Sequence, residues 1–346
     1  MRKVRKIFLN LILFILIIIL TFSIIFKDQD ISQIFNIVKN VKKEFIIIAI
    51  ICMCIFFCCE AINIGRTLKA LGEKTTFLKN LKYALIGFFF SSITPAASGG
   101  QPMQIYYMHK DKVSVSSSTL ALLVNLTSAQ IVTISVALIS LCFNYKYMNG
   151  ILITFFIIGI LLNASALALL IISIYSKKLS SGLIKFIIKV LKFFRVKNLE
   201  SKQEKLENEL NKYHDSAIYI RNNKKIMIKI ILTTYVQFLL YYSISYWVYR
   251  SFGLNSHNIF EILTMQSVLY ATVSGIPSPG AVGVSEGGYL AIFETIYSKE
   301  MLNGAMLLSR GISFYLFVII SGIIVALNVL IKRKDKKNIE RKMNYE

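Results

Sequence analysis

The sequence predicts an all-α polytopic membrane protein, with about six full transmembrane helices and two broken, re-entrant helix pairs in inverted-repeat arrangement. Three observations predict it. The 346 residues are 55% hydrophobic, with a mean hydropathy of +0.61. Charged residues make up 17%, where a soluble chain carries about a quarter. The charge is also segregated into short basic blocks between long apolar runs, the pattern of spans joined by loops.

The net charge of +22 comes largely from those blocks, such as Arg2, Lys3, Arg5 and Lys6 before the first run and Lys332, Arg333, Lys334, Lys336 and Lys337 after the last. Basic residues beside spans sit against anionic headgroups, at about 1 kcal/mol each, and mark cytoplasmic loops. They require no nucleic-acid partner. Cys52, Cys54, Cys58, Cys59 and Cys142 lie inside apolar runs, where a thiol is a small hydrophobe. His109, His214 and His257 are isolated, so no metal site, cofactor site or catalytic set emerges.

Each element follows in order. Ile7 to Phe26 is too long for a signal-peptide core and lacks a cleavage pattern, so it reads as a retained span leaving the cytoplasm. Phe45 to Ile64 returns, with Glu60 and Asn63 read as interfacial at its inner end. The loop that follows, with Arg66, Lys69, Lys74, Lys79 and Lys82, belongs inside. Tyr83 to Met108 is two apolar halves around a polar break, each shorter than the about 20 residues a crossing takes. The basic stretch His109 to Lys112 is inside again. Ser118 to Phe143 and Ile151 to Tyr175 are full spans.

Residues 176–225 form a hydrophilic connector. Lys185, Lys189 and Lys192 share one face of a basic amphipathic helix suited to the cytoplasmic interface. Leu206, Leu210, Tyr213 and Ala217 share one face of a second helix. The connector reads as a solvated link between two halves, with a regulatory or protein-interaction role as the alternative. Ile226 to Tyr249 crosses next, anchored by Tyr246, Trp247 and Tyr249. Ile259 to Phe293 is again two apolar halves around a break, and Asn303 to Ile331 ends at the basic tail.

If each broken segment enters and leaves on one side, both termini and the connector are cytoplasmic. Lys27, Lys39, Lys42 and Lys43 then fall outside, partly offset by Asp28, Asp30 and Glu44. The expected organisation is one membrane domain over 1–346: a first half (7–175), the connector (176–225), a second half (226–331) and a tail (332–346). The halves repeat span, broken pair, long span in opposite orientation. Short Pro/Gly-interrupted segments at matching places in two halves point to a transporter binding site near the midplane.

All four prolines, Pro95, Pro102, Pro277 and Pro279, lie in the two breaks. There proline removes donors, Gly99, Gly100, Gly280 and Gly283 let the backbone turn, and freed N–H groups at half-helix starts attract an anion. The expected binding residues are Thr94, Pro95, Ser98, Gly99, Gly100, Gln101, Pro277, Pro279, Gly280, Gly283, Glu286 and Arg310. Glu286 and Arg310 each cost about 2.5–3.5 kcal/mol at bilayer centre, so a shared polar cavity is expected. The alternative for Arg310 is snorkelling to the outer interface.

The motifs TPAASGGQP and PSPGAVGVSEGG, the basic connector and the arginine in the last span resemble the transmembrane domain of the lysylphosphatidylglycerol synthases, the phosphatidylglycerol lysyltransferases. That domain also occurs alone in bacterial proteins described as flippase-like. The resemblance runs from about residue 5 to about residue 331. Its more specific motif holds Pro279, Gly280, Gly283 and Glu286, while Gln101 stands where the family often has an acidic residue. It implies a phospholipid flippase-like protein of the bacterial cytoplasmic membrane, handling an anionic or aminoacylated phospholipid. It also implies an alternative, lysyl transfer from charged tRNA to phosphatidylglycerol with resistance to cationic peptide antibiotics. In the full-length enzymes a soluble C-terminal domain carries that transfer, and residues 332–346 are too few to form one. The expected partners are membrane phospholipid, a separate soluble lipid-modifying enzyme and a second copy of the chain as a homo-oligomer.

Overall fold

A chain that buries its backbone in lipid must satisfy its N–H and C=O groups internally, and helices do so within one segment. In the described residues every regular element is accordingly helical. A computed structural model describes residues 36–144, 150–175, 199–276 and 278–328 and positions 12, 15, 16, 19 and 23, without the side chains of 96, 144, 151, 174, 175, 199–207, 209 and 210. Most of the first apolar run, the stretch with Lys185, Lys189 and Lys192, the side chains of Leu206 and Leu210, Pro277 and the tail at 332–346 lie outside the described residues.

In chain order the helices are α1 (Lys43–Ala70), α2 (Phe77–Ser92), α3 (Gly100–Lys110), α4 (Val115–Asn144), α5 (Gly150–Tyr175), α6 (Leu199–Asn222), α7 (Lys224–Ser251), α8 (Ile259–Val273), α9 (Val284–Phe293) and α10 (Lys299–Asn328). Within α10 a regular stretch, Lys299–Arg310, gives way to a π-helical turn at Gly311–Tyr315. Among the described residues five helices, α1, α4, α5, α7 and α10, are long and apolar enough to cross a membrane. Large apolar side chains on their outer faces are exposed, including Ile47, Leu161, Leu232 and Ile319, as lipid contact requires.

The basic segment between the first two described helices is mostly helix rather than loop. Arg66 and Lys69 end α1, Lys79 and Lys82 begin α2, and only residues 71–76 connect them. Gly72, at φ 78°, closes α1 with its N–H on Lys69 O and the Glu73 N–H on Leu68 O. The Thr76 hydroxyl then accepts from the Lys79 N–H and starts α2.

Helices α1 and α7 pack antiparallel along their length. At one end Phe45 stacks on Trp247 with centroids 6.2 Å apart. At the other the Asn63 amide donates to Thr234 Oγ1 at 3.0 Å, and Arg66 donates to Asn63 Oδ1 and to the Lys229 carbonyl. Asn63, expected at the interface, is instead buried inside this helix pair. Its amide has no water to return to, so such bonds add to packing, by about 0.6 to 2 kcal/mol each.

Helices α2 and α3 form one hairpin, α8 and α9 another. Across the first, the Gln104 amide donates to Tyr83 O at 3.2 Å and Gly100 lies against Ser91. Its open end is fastened by the Tyr83 hydroxyl and the Lys82 ammonium, both on Asp111 Oδ2. Across the second, Gly288 faces Leu269 and Val273. Helix α5 braces that hairpin: the Asn163 amide donates to the Ala271 carbonyl at 2.9 Å, and Gly159 lies so close to Ala271 and Thr272 that a Cβ would strike their backbone. Helix α6 lies across other ends, burying Tyr213, Ala217 and Ile220 against Leu120, Val124 and Ile230. The Tyr213 hydroxyl donates to Ser173 O at 2.9 Å.

Candidate functional site

The two hairpin tips share a proline-led 3-10 turn that ends in a left-handed alanine. After Thr94, Pro95–Ala97 forms a 3-10 turn ending in the left-handed Ala97 (φ 52°). After Ser278, Pro279–Ala281 forms another ending in Ala281 (φ 53°). Proline fixes the first φ and lacks the donor a helix start leaves unused. The two turns pack against each other, so the hairpins meet tip to tip.

The glycines of the two tips do different work. Gly280 (φ 60°) and Gly283 (φ 88°) take left-handed conformations that a side chain resists, as expected for turning residues. Gly99, at φ −86°, takes an ordinary helical one, and Gly100 is already in α3. Their role is close approach. A Cβ on Gly99 would lie 3.1 Å from the Phe90 carbonyl, and one on Gly100 would strike the Ser91 hydroxyl and lie 2.9 Å from the Gly87 carbonyl. The first tip is tied by hydroxyls: Thr94 donates to Phe90 O and accepts from the Gly99 N–H at 2.9 Å, and Ser98 donates to Pro95 O.

The second tip is tied by charge. Glu286, three residues into the start of α9, has no exposed surface. Its Oε2 accepts from the Gly283 N–H at 2.7 Å, an acidic residue meeting the positive end of its own helix. Its Oε1 accepts from Arg310 Nε and from the Tyr315 hydroxyl, both at 2.8 Å. Arg310 also donates to Gly280 O at 3.1 Å, and its guanidinium carbon lies 4.4 Å from the Phe314 ring centre. Arg310 is therefore held inward and does not snorkel.

The π turn makes this convergence geometrically available. In an α-helix, residues five apart point about 140° away from each other. The wider π turn brings Tyr315 round to the side of Arg310, and both reach one carboxylate oxygen.

Between the tips lies a cavity of about 440 Å³. Of the residues expected at the site, Gln101, Gly280 and Arg310 line it. Glu286 and Gly283 stand behind Arg310, buried Pro279 shapes the second tip, and Thr94, Pro95, Ser98, Gly99 and Gly100 shape the first. Pro277 lies outside the described residues. The lining also holds groups that sequence reasoning missed: Glu60, Gln104, Tyr241 and Tyr270. The sequence places Glu60 at the interface, but its helix turns it into this cavity, beside Gln104. A lone acid within the apolar run CMCIFFCCEAIN was the available signal.

The chain is similar to two UPF0104 membrane proteins, one from Pyrococcus horikoshii and one from Archaeoglobus fulgidus. The first is 24% identical over 294 residues, 82% of this chain and 87% of the relative. The second is 24% identical over 335 residues, 94% and 98% of the two chains. Residues 7–321 match the family model described as the lysylphosphatidylglycerol synthase TM region, a match that takes in both hairpins, the Glu286–Arg310 pair and the cavity between them. With nearly its whole length matched, this multi-pass membrane protein belongs to the family of the lysylphosphatidylglycerol synthase transmembrane region.

Proposed function

We propose that the chain is a phospholipid translocase whose cavity accepts the headgroup of an anionic or aminoacylated phospholipid. The observation that carries this reading is the meeting of two hairpin tips at a cavity edged by a buried arginine. Irregular backbone at membrane depth persists where it lines a polar cavity, and broken helices meeting at midplane are how many transporters build a substrate site. The Arg310 guanidinium, at the cavity edge, and the first turn of α3, at Gln101, offer N–H donors to a phosphate. The groove-facing apolar groups Met53, Phe88 and Leu126 suit the start of acyl chains.

In this reading the hairpins are re-entrant and belong to two inverted halves, with about six full spans in all. The shared tip recipe, with Pro first and a left-handed Ala third, supports the repeat. So does the antiparallel packing of α1 on α7, the spans that precede the two hairpins. Both termini then lie in the cytoplasm, in the cytoplasmic membrane of a bacterium.

The test is leaflet exchange of tail-labelled phospholipids in vesicles reconstituted with the purified chain. Exchange well above that of protein-free vesicles is expected, with a loss of at least about tenfold in the paired variant Glu286→Gln, Arg310→Gln. A wild-type rate equal to the protein-free rate overturns the proposal.

A further inference from the structure

The carboxylate that the cavity offers to a ligand is Glu60. Glu286 is fully buried, with its oxygens taken by the Gly283 N–H, Arg310 Nε and the Tyr315 hydroxyl. Glu60 lines the open space, and among the described residues no lysine, arginine or histidine forms an ion pair with it. Arg310 and Glu286 cancel, so an ionised Glu60 leaves the cavity with one uncompensated negative charge. At membrane depth such a charge calls for a cationic partner.

Three of the aromatic rings that line this space sit together. Phe56 precedes Glu60 by one helical turn on the same face of α1. Tyr241 of α7 and Tyr270 of α8 complete the set. The Phe56 and Tyr241 ring centres are 5.4 Å apart, and those of Tyr241 and Tyr270 are 5.5 Å apart. A carboxylate beside several aromatic rings is the chemistry that holds an ammonium.

We infer that Glu60, Phe56, Tyr241 and Tyr270 form an ammonium-binding corner, and that Glu60 sets selectivity for phospholipids whose headgroup carries an amine as well as the phosphate. The inference rests on the lipid-cavity reading above and narrows it. A headgroup with phosphate alone meets the repulsion of Glu60, whereas one with an ammonium turns that charge into attraction.

The experiment measures binding of two soluble probes, lysophosphatidylethanolamine and lysophosphatidylglycerol, to the full chain in neutral detergent. The wild type is expected to prefer the amine probe by about tenfold or more, and Glu60→Gln to erase most of that ratio. Phe56→Leu keeps the carboxylate, removes one ring and is expected to cut the ratio by about threefold. It also supplies the reading if Glu60→Gln does not fold. Equal affinities in the wild type, or a ratio that neither folded variant moves, overturn the inference. Leaflet exchange run in parallel separates the two proposals. Selective binding without exchange removes translocation and keeps the Glu60 site, and exchange without selectivity does the reverse.

Discussion

Replacing Arg310 by methionine isolates one buried charge. The Glu286 side chain has no exposed surface and keeps only the Gly283 N–H at 2.7 Å and the Tyr315 hydroxyl at 2.8 Å once the guanidinium is gone. Truncating one partner of a buried pair costs about 3–5 kcal/mol, because the remaining charge has neither water nor counter-ion. Glu286→Gln alone leaves Arg310 with the Gly280 carbonyl and the Phe314 ring, a smaller loss in kind but again an uncompensated charge. Removing both charges together leaves no orphan, so the double variant is expected to be more stable than the sum of the singles by at least about 2 kcal/mol. Reversible unfolding of the four proteins in one detergent gives that coupling directly. A value below about 0.5 kcal/mol, the range of independent sites, refutes the claim that the two side chains form a desolvated pair.

Three further outcomes follow from the geometry. Gly100→Ala is expected to destabilise the first hairpin by about 1–3 kcal/mol, since its Cβ strikes Ser91 Oγ and lies 2.9 Å from Gly87 O. Adding Ser91→Ala restores only part of the thermal midpoint, because the backbone contact remains, and full restoration contradicts the close approach. Asn63→Ala removes the bridge to Thr234 and orphans an Arg66 bond, for an expected loss of about 0.6 to 2 kcal/mol in the same unfolding assay. A stability unchanged within error removes the clamp between α1 and α7. In a cysteine-free background, Lys112→Cys is expected to react with an impermeant maleimide only from the cytoplasmic side and Asn255→Cys only from the outside. Both positions are exposed, near the open ends of the two hairpins. Labelling of both from one side overturns the inverted arrangement.

Where the helices break was readable in advance, because proline acts locally. Pro95, Pro102 and Pro279 remove a donor and fix φ whatever surrounds them, and all four prolines of the sequence fall in the two breaks. What the breaks do was less readable. Gly99 and Gly100 look like turning residues beside Gly280 and Gly283, yet only the latter two adopt positive φ. The difference lies in how closely α3 approaches Phe90 and Gly87 on α2, a distance set by tertiary packing. Glu60 failed for a related reason. Depth along a helix can be counted from sequence, but the face that meets a cavity depends on which neighbours cover the others. Here Asn63, three residues on, faces α7, while Glu60 faces the hairpin tips. The partners of Glu286 were also hidden, because a π turn that places residues 310 and 315 together leaves no mark in apolar periodicity.

The two tips each open with a proline-led 3-10 turn and divide the chemistry between them. The first is held by the hydroxyls of Thr94 and Ser98, carries Gln101 toward the cavity and brings no charge there. The second is held by Glu286 and Arg310, the latter from α10. Glu60 comes from α1, the span before the first hairpin. In the proposed reading a headgroup with phosphate and ammonium therefore meets its cation, Arg310, from one half of the chain and its anion, Glu60, from the other. In the same reading a headgroup with phosphate alone engages Arg310 and the first turn of α3 but is repelled by Glu60. Selectivity would then depend on both halves closing on the same ligand, and this is why Glu60 rather than the better-paired Glu286 is the residue whose loss should change which lipid is chosen.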